Sequence, residues 1–231
     1  MTYNYNAPQD VNFRKVYQKA NEILATSSAI ETFPYKTKSV VREQSDIAFC
    51  TFEAAKRIGV CIEQFGSGSA VLTESDGAHI IFYNQDEVSY RIRFSVMHEF
   101  GHYIFSHHMN LSKEDPLYSI QEIEANCFAA QMLMPEQLIR ECAYRGKMIS
   151  VDYIKQSFGV SLDAAQKRKT TLAKTVYEWR SRAEREYDDI IILRFASKLD
   201  EIAPKPRYFA YDLEDDYAKE QERNRWLYER K

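Results

Sequence analysis

The segment His98-Glu99-Phe100-Gly101-His102 constrains this chain more than any other, because two imidazoles four residues apart serve one centre only if the backbone between them is helical. Residues at that spacing lie about 40° apart around a helix axis, so both rings leave one face. The apolar positions agree, with Val96, Phe100, Tyr103 and Ile104 at helical spacing between Ser95 and about His107. Imidazole pairs suit Zn2+, which takes three protein ligands and keeps a position open for water. Glu99 stands beside the first histidine, where it can reach that water without ligating the ion. We therefore read His98 and His102 as zinc ligands and Glu99 as the general base of a peptide-bond hydrolysis.

Two segments compete to supply the third ligand. His108 follows His102 by six residues, as in the extended motif HExxHxxGxxH, but Phe105 stands where that motif has its hinge glycine. His107 and His108 are thus expected in solvent or hydrogen-bonded behind the ligands. The other source is the helical run Gln121 to Ala130, in which Glu122 and Asn126 are one turn apart on one face. Glu122 is the expected ligand, Asn126 a supporting amide, and Glu124 the reserve, since it lies about 160° around the axis from Glu122. Ala125 and Ala129 would let this helix come close to the first. Tyr103, Arg91, Arg93, His107 and His108 are the candidates for stabilising an oxyanion, and the run His79 to Tyr83 for offering a strand edge to an extended peptide.

Periodicity and turn residues predict the remaining elements. Helices are expected over 11–26 and 44–58, the second ended by Gly59, and then a strand over Val60–Phe65. Glycine-rich turns bracket Ala70–Thr73 and precede His79–Tyr83, which predicts a small hairpin sheet, while the boundary within Ser89–Phe94 stays open between strand and helix. A break at 112–117, helices over 119–134 and 135–144, and a short-helix, Gly159, longer-helix pattern from Ser150 to about Tyr177 follow. Ile190-Ile191-Ile192-Leu193 reads as a strand, and Asp212–Lys231 as a mixed-charge, aromatic tail.

With a formal net charge of -3 in 231 residues, wrapping of nucleic acid is disfavoured, and Lys167, Arg168 and Lys169 on the last of these helices become a weak DNA candidate. No stretch reaches the roughly 18 apolar residues of a spanning helix, and Met1–Asp10 lacks the pattern of a secretory signal. Cys50, Cys61, Cys127 and Cys142 show no CxxC spacing, which predicts reduced thiols in a cytoplasmic protein without membrane contact.

Arg93-Phe94-Ser95-Val96-Met97-His98-Glu99-Phe100-Gly101-His102-Tyr103, followed by Glu122-Ile123-Glu124-Ala125-Asn126-Cys127-Phe128-Ala129-Ala130-Gln131-Met132-Leu133-Met134-Pro135, resembles the ImmA/IrrE family of bacterial metallopeptidases. The likeness extends over about residues 45–175. It implies a gluzincin-like site of two histidines, one glutamate and a water. It also implies limited proteolysis of a helix-turn-helix transcriptional repressor, often encoded beside the peptidase on phage-like or mobile elements. The fold expected is α+β: a mostly helical, zincin-like domain with a small β-sheet at 1–145, a helix-turn-helix-like segment at 146–177 and a tail or subdomain at 178–231. The competing class is a non-catalytic regulatory module that binds DNA or protein, with the metal structural or absent.

Overall fold

The computed structural model describes residues 11–108, 111–174 and 182–205, with the backbone alone at 182–185. The expected tail over 212–231, residues 175–177 of the last predicted helix and the Met1–Asp10 segment lie outside the described residues. The fold is mostly helical with one three-stranded sheet, an α+β arrangement. Among the described residues no helix is long and apolar enough to cross a membrane.

Asn12 opens α1 (Phe13–Thr26) by accepting from Lys15 N, and the buried face of α1 carries Val16, Ala20, Ile23 and Leu24. Next come α2 (Thr37–Gln44), β1 (Ala48–Thr51) and α3 (Phe52–Arg57). The helix expected over 44–58 is therefore replaced by strand and short helix. Ser45 turns its hydroxyl back onto Val41 O as α2 ends, and Thr51 caps α3 by accepting from Ala54 N. Between them, Ala48 to Thr51 pair with residues 80–83 of a later strand, a long-range gain that outweighs local helical spacing. The strand expected over Val60–Phe65 is also absent. Ile62–Phe65 is a 3-10 turn ended by Gly66 at φ 65°.

Strands β2 (Ala70–Ser75) and β3 (Ala78–Tyr83) form the expected hairpin. The sheet order is β1-β3-β2, parallel between β1 and β3 and antiparallel between β3 and β2. β3 is thus central and its backbone is used on both sides. The edges of the sheet are therefore β1 and β2, and not the run His79–Tyr83.

Ser89–Ile104 is one continuous helix, α4, which resolves the open boundary at 89–94. Its partner α5 (Pro116–Leu133) starts three residues before the expected Ser119, because Asp115 caps it by accepting from Leu117 N and Pro116 suits a first turn. The two helices touch at Gly101, where an added Cβ would stand 3.1 Å from Ala125 Cα and 3.2 Å from Phe128 Cδ1. A large side chain at 101 must push α5 away. Gly101→Leu is expected to cost about 2 kcal/mol or more, as overpacking does, read as a lowered melting temperature. Melting unchanged from wild type would show that the helices are not in contact here.

After α5 come α6 (Glu136–Tyr144), α7 (Val151–Phe158), α8 (Leu162–Ala173), α9 (Arg182–Arg194) and α10 (Ala196–Ile202). Ile190–Leu193 lies inside α9 and is not a strand. Asp188, Ile191 and Phe195 bury one face at helical intervals while Leu193 stays 76% exposed. Gly159, at φ 60°, closes α7 with Pro34 and Arg93 packed against it, leaving no room for a side chain. Side chains from all three predicted sequence spans share one core, including Phe100, Phe128, Phe158 and Phe195.

A buried polar network crosses that core. Arg168 of α8 donates to Tyr17 Oη at 3.0 Å, to Met134 O at 3.0 Å and to Gln131 Oε1. The Gln131 amide donates in turn to Asn21 and Gln137. Arg168 therefore faces the interior and not a groove of DNA, and exposed Lys167 pairs with Asp163 at 3.0 Å.

At the end of α2, Glu43 accepts from the Ser27 hydroxyl and from Ser28 N and Oγ. Burial pushes this carboxyl up, but the hydrogen bonds outweigh it and hold the pKa at about 2. A folded-state pKa below the unfolded one stabilises above the ordinary carboxylate range, and that contribution disappears as pH falls toward about 2. The wild type is expected to lose more thermal stability than Glu43→Gln between about pH 5 and about pH 2. Parallel losses in both proteins would contradict the hydrogen bonds from Ser27 and Ser28 to Glu43.

Candidate active site

Close contact at Gly101 sets α5 so that its polar stripe meets the histidine face of α4. His98 Nε2 and His102 Nε2 lie 3.1 Å apart. Glu122 brings Oε1 to 3.4 Å from His102 Nε2 and Oε2 to 3.6 Å from His98 Nε2. One ligand atom from each residue falls within 4.8 Å of the others, and among the described residues this is the group suited to hold a metal ion. Donors about 2.1 Å from one tetrahedral zinc stand roughly 3.4 Å from each other. The separations observed bracket that value, and two imidazoles with one carboxylate are a zinc donor set, so the residues fit the ion.

Electrostatics prepare the donors. Burial brings the His98 imidazole down to about 4, with His102 adding to the effect, so His98 is neutral at pH 7 and its lone pair is available. The hydrogen bond with His102 holds the Glu122 carboxyl below its ordinary range. Asn126 Nδ2 donates to Glu122 O at 2.7 Å, and the Asn126 side chain also hydrogen-bonds His98. Its carbonyl oxygen is the atom left to accept.

Glu99 sits between the cluster and the sheet, its Oε2 accepting from Leu72 N of β2 at 2.8 Å. Burial pushes its carboxyl up to about 7, against the pull of His102 and the Leu72 amide. A proton acceptor poised near neutrality suits general base work. Because Leu72 N points away from β3, the backbone groups of Ala70 and Glu74 face the same way by alternation, along the edge of the sheet.

The other expected residues divide. His107 is buried against His102, with Nδ1 3.0 Å from His102 Nδ1, while His108 is exposed. The sharp turn that delivers His107 occurs at Ser106, in the left-handed region at φ 53°, one residue after Phe105, which stands at the hinge position of the extended motif. Glu124, held as the reserve ligand, points elsewhere: it accepts from His107 Nε2 at 3.1 Å and from Asn12 N at 2.8 Å. Tyr103 lies edge-on to His79, its ring 4.9 Å away. Arg93 donates to Tyr35 O and Gly159 O, tying α4 to α7, and Arg91 pairs with Glu87 at 3.5 Å. Sequence reasoning missed Tyr118. It stands one turn before Glu122 on α5, and its phenol is raised first by burial and then by the charges of Glu122 and Glu99. The Tyr118, Glu122, Asn126 spacing was the available signal.

A cleft of about 800 Å³ lies between α4, α5 and α8, lined by Arg91, Ser95, Asn126, Ala130, Ala164 and Lys167 among others, and His98, Glu99, His102 and Glu122 are not among its walls. A mixed three-stranded sheet, a helix carrying two histidines and a glutamate, and a second helix carrying an acidic partner define a metallopeptidase-like domain. Residues 54–170 match the family model of the M78 peptidases, described as the IrrE N-terminal-like domain. That is more than half of the chain, and the chain belongs to this family. No curated protein matches it.

Proposed function

We propose that the chain is a zinc endopeptidase that makes a limited cut in a helix-turn-helix transcriptional repressor and so releases the genes it silences. The observation that carries the enzymatic part is the convergence of His98, His102 and Glu122 beside a half-buried Glu99 whose second oxygen is free of Leu72. The repressor rests on the family resemblance. Bound by the three ligands, zinc would supply Lewis-acid polarisation of the scissile carbonyl and make a water acidic. Leu72 N fixes Glu99 Oε2, leaving Oε1 to take the proton of the attacking water and pass it to the departing amine. The edge of β2, whose Leu72 N meets Glu99, gives an extended peptide a path beside that point.

Tyr118, one turn from Glu122 on α5, is the donor we assign to the charge that develops on the carbonyl oxygen. Tyr118→Phe is expected to lower kcat about 10²-fold with zinc content and KM little changed. Full kcat in steady-state kinetics would remove Tyr118 from the mechanism. The function itself is tested by incubating zinc-loaded protein with the repressor encoded beside its gene and weighing the products by intact-mass spectrometry. One or two defined cuts, abolished by chelator, are expected; an intact repressor beside fully loaded, folded protein would overturn the proposal.

A further inference from the structure

Behind the ligand face of His102 runs a chain of hydrogen-bonding groups that the hydrolytic reading does not use. Asn12 N meets Glu124 Oε1 at 2.8 Å, Glu124 Oε2 meets His107 Nε2 at 3.1 Å, and His107 Nδ1 meets His102 Nδ1 at 3.0 Å. The donor and acceptor roles along it follow from the ends. A backbone N–H only donates, and an ionised carboxylate only accepts, so Glu124 takes a proton from each side. His107 must then carry its proton on Nε2, and as a neutral ring it has a bare Nδ1. A bare Nδ1 at 3.0 Å requires a proton on His102 Nδ1, which leaves the lone pair of His102 on Nε2, the atom 3.4 Å from Glu122 and 3.1 Å from His98 Nε2.

We infer that His107 and Glu124 are positioning residues that lock His102 in the tautomer and orientation able to ligate metal. The inference rests on the reading of His98, His102 and Glu122 as a metal site, though not on peptidase activity. The fold invests in this arrangement. Ser106 takes a left-handed conformation that a side chain disfavours, and His107 N bonds back to His102 O at 2.9 Å, so the chain folds under its own helix end to bring the two rings together. The first turn of α1 closes the far end, since the Asn12 amide that anchors Glu124 belongs to the residue capping that helix. A histidine bridging carboxylate and ligand also spans a distance that Glu124 could not cross from its place on α5, roughly 160° around the helix from Glu122.

Two readouts independent of catalysis test the inference. Long-range 15N imidazole spectra of the metal-free wild type are expected to show His102 with its proton on Nδ1 and His107 with its proton on Nε2. In competition with a chromophoric chelator, His107→Phe is expected to bind zinc 10- to 100-fold more weakly and Glu124→Gln to fall between it and wild type. His107→Asn places an amide oxygen where Nδ1 stood and is expected to recover most of the affinity. His102 protonated on Nε2 in the wild type, or wild-type zinc affinity in folded His107→Phe, would overturn the assignment. Should His107→Phe not fold, the wild-type spectrum and the His107→Asn titration decide it. Normal tautomers and affinities in a protein that cuts no repressor would sink the proposed function and leave this inference standing.

Discussion

Replacing Glu99 by Gln is expected to lower kcat about 10³-fold or more while zinc content and fold persist. The amide matches the carboxylate in shape, and its oxygen can still accept from Leu72 N, so the link between α4 and β2 survives. What disappears is a base. The carboxyl of Glu99, raised to about 7 by burial, can hold a proton between the attacking water and the leaving amine, and an amide cannot. The check is paired: metal analysis and steady-state cleavage on one preparation of each protein. Zinc loss in step with activity would mean that Glu99 holds the centre together instead, and equal turnover would mean that the base lies elsewhere.

Glu122→Ala should act in the opposite order, on metal first. Three ligands share the binding free energy of a zinc site, so removing one is expected to weaken binding by about 10³-fold. Glu124→Ala, two residues away on the same helix, is expected to cost about tenfold at most through His107. The contrast matters because both glutamates suit the sequence. In the folded chain Glu122 stands within 3.6 Å of both His98 and His102, whereas Glu124 is committed to His107 and Asn12. Equal losses for the two variants, measured by chelator competition, would contradict that division.

Much of the helical part of this fold was legible because its periodicity is strong. α4 through α8 follow from apolar spacing, Pro135 at a helix start and the glycine at 159, although the start of α4 stayed open and Pro116, which reads as part of a break, opens α5. The parts that escaped are those decided by distant partners. Phe49 and Cys50 fit a helix as well as a strand until β3 is present to pair with them. Ile190–Leu193 has strand composition, yet Asp188 and Phe195 flank it at helical intervals and the core accepts that face alone. The site divides in the same way. His98, Glu99 and His102 stand out in sequence because one helix carries them. The placing of His107 depends on a left-handed serine that no motif requires, and Tyr118 belongs to no motif and is marked only by its place one turn before Glu122. Arg168 looked like a basic surface residue beside Lys167 and Lys169 until its partners Tyr17, Gln131 and Met134 placed it inside.

We propose that one ion is held by two rings of α4 and one carboxylate of α5. Zinc-edge X-ray absorption of protein loaded with one equivalent reads that donor set directly. Two imidazole nitrogens and carboxylate oxygen at about 2.0 to 2.2 Å, without sulfur, are the predicted ligands. A shell of sulfur scatterers near about 2.3 Å, placing the ion on cysteine, would contradict the account.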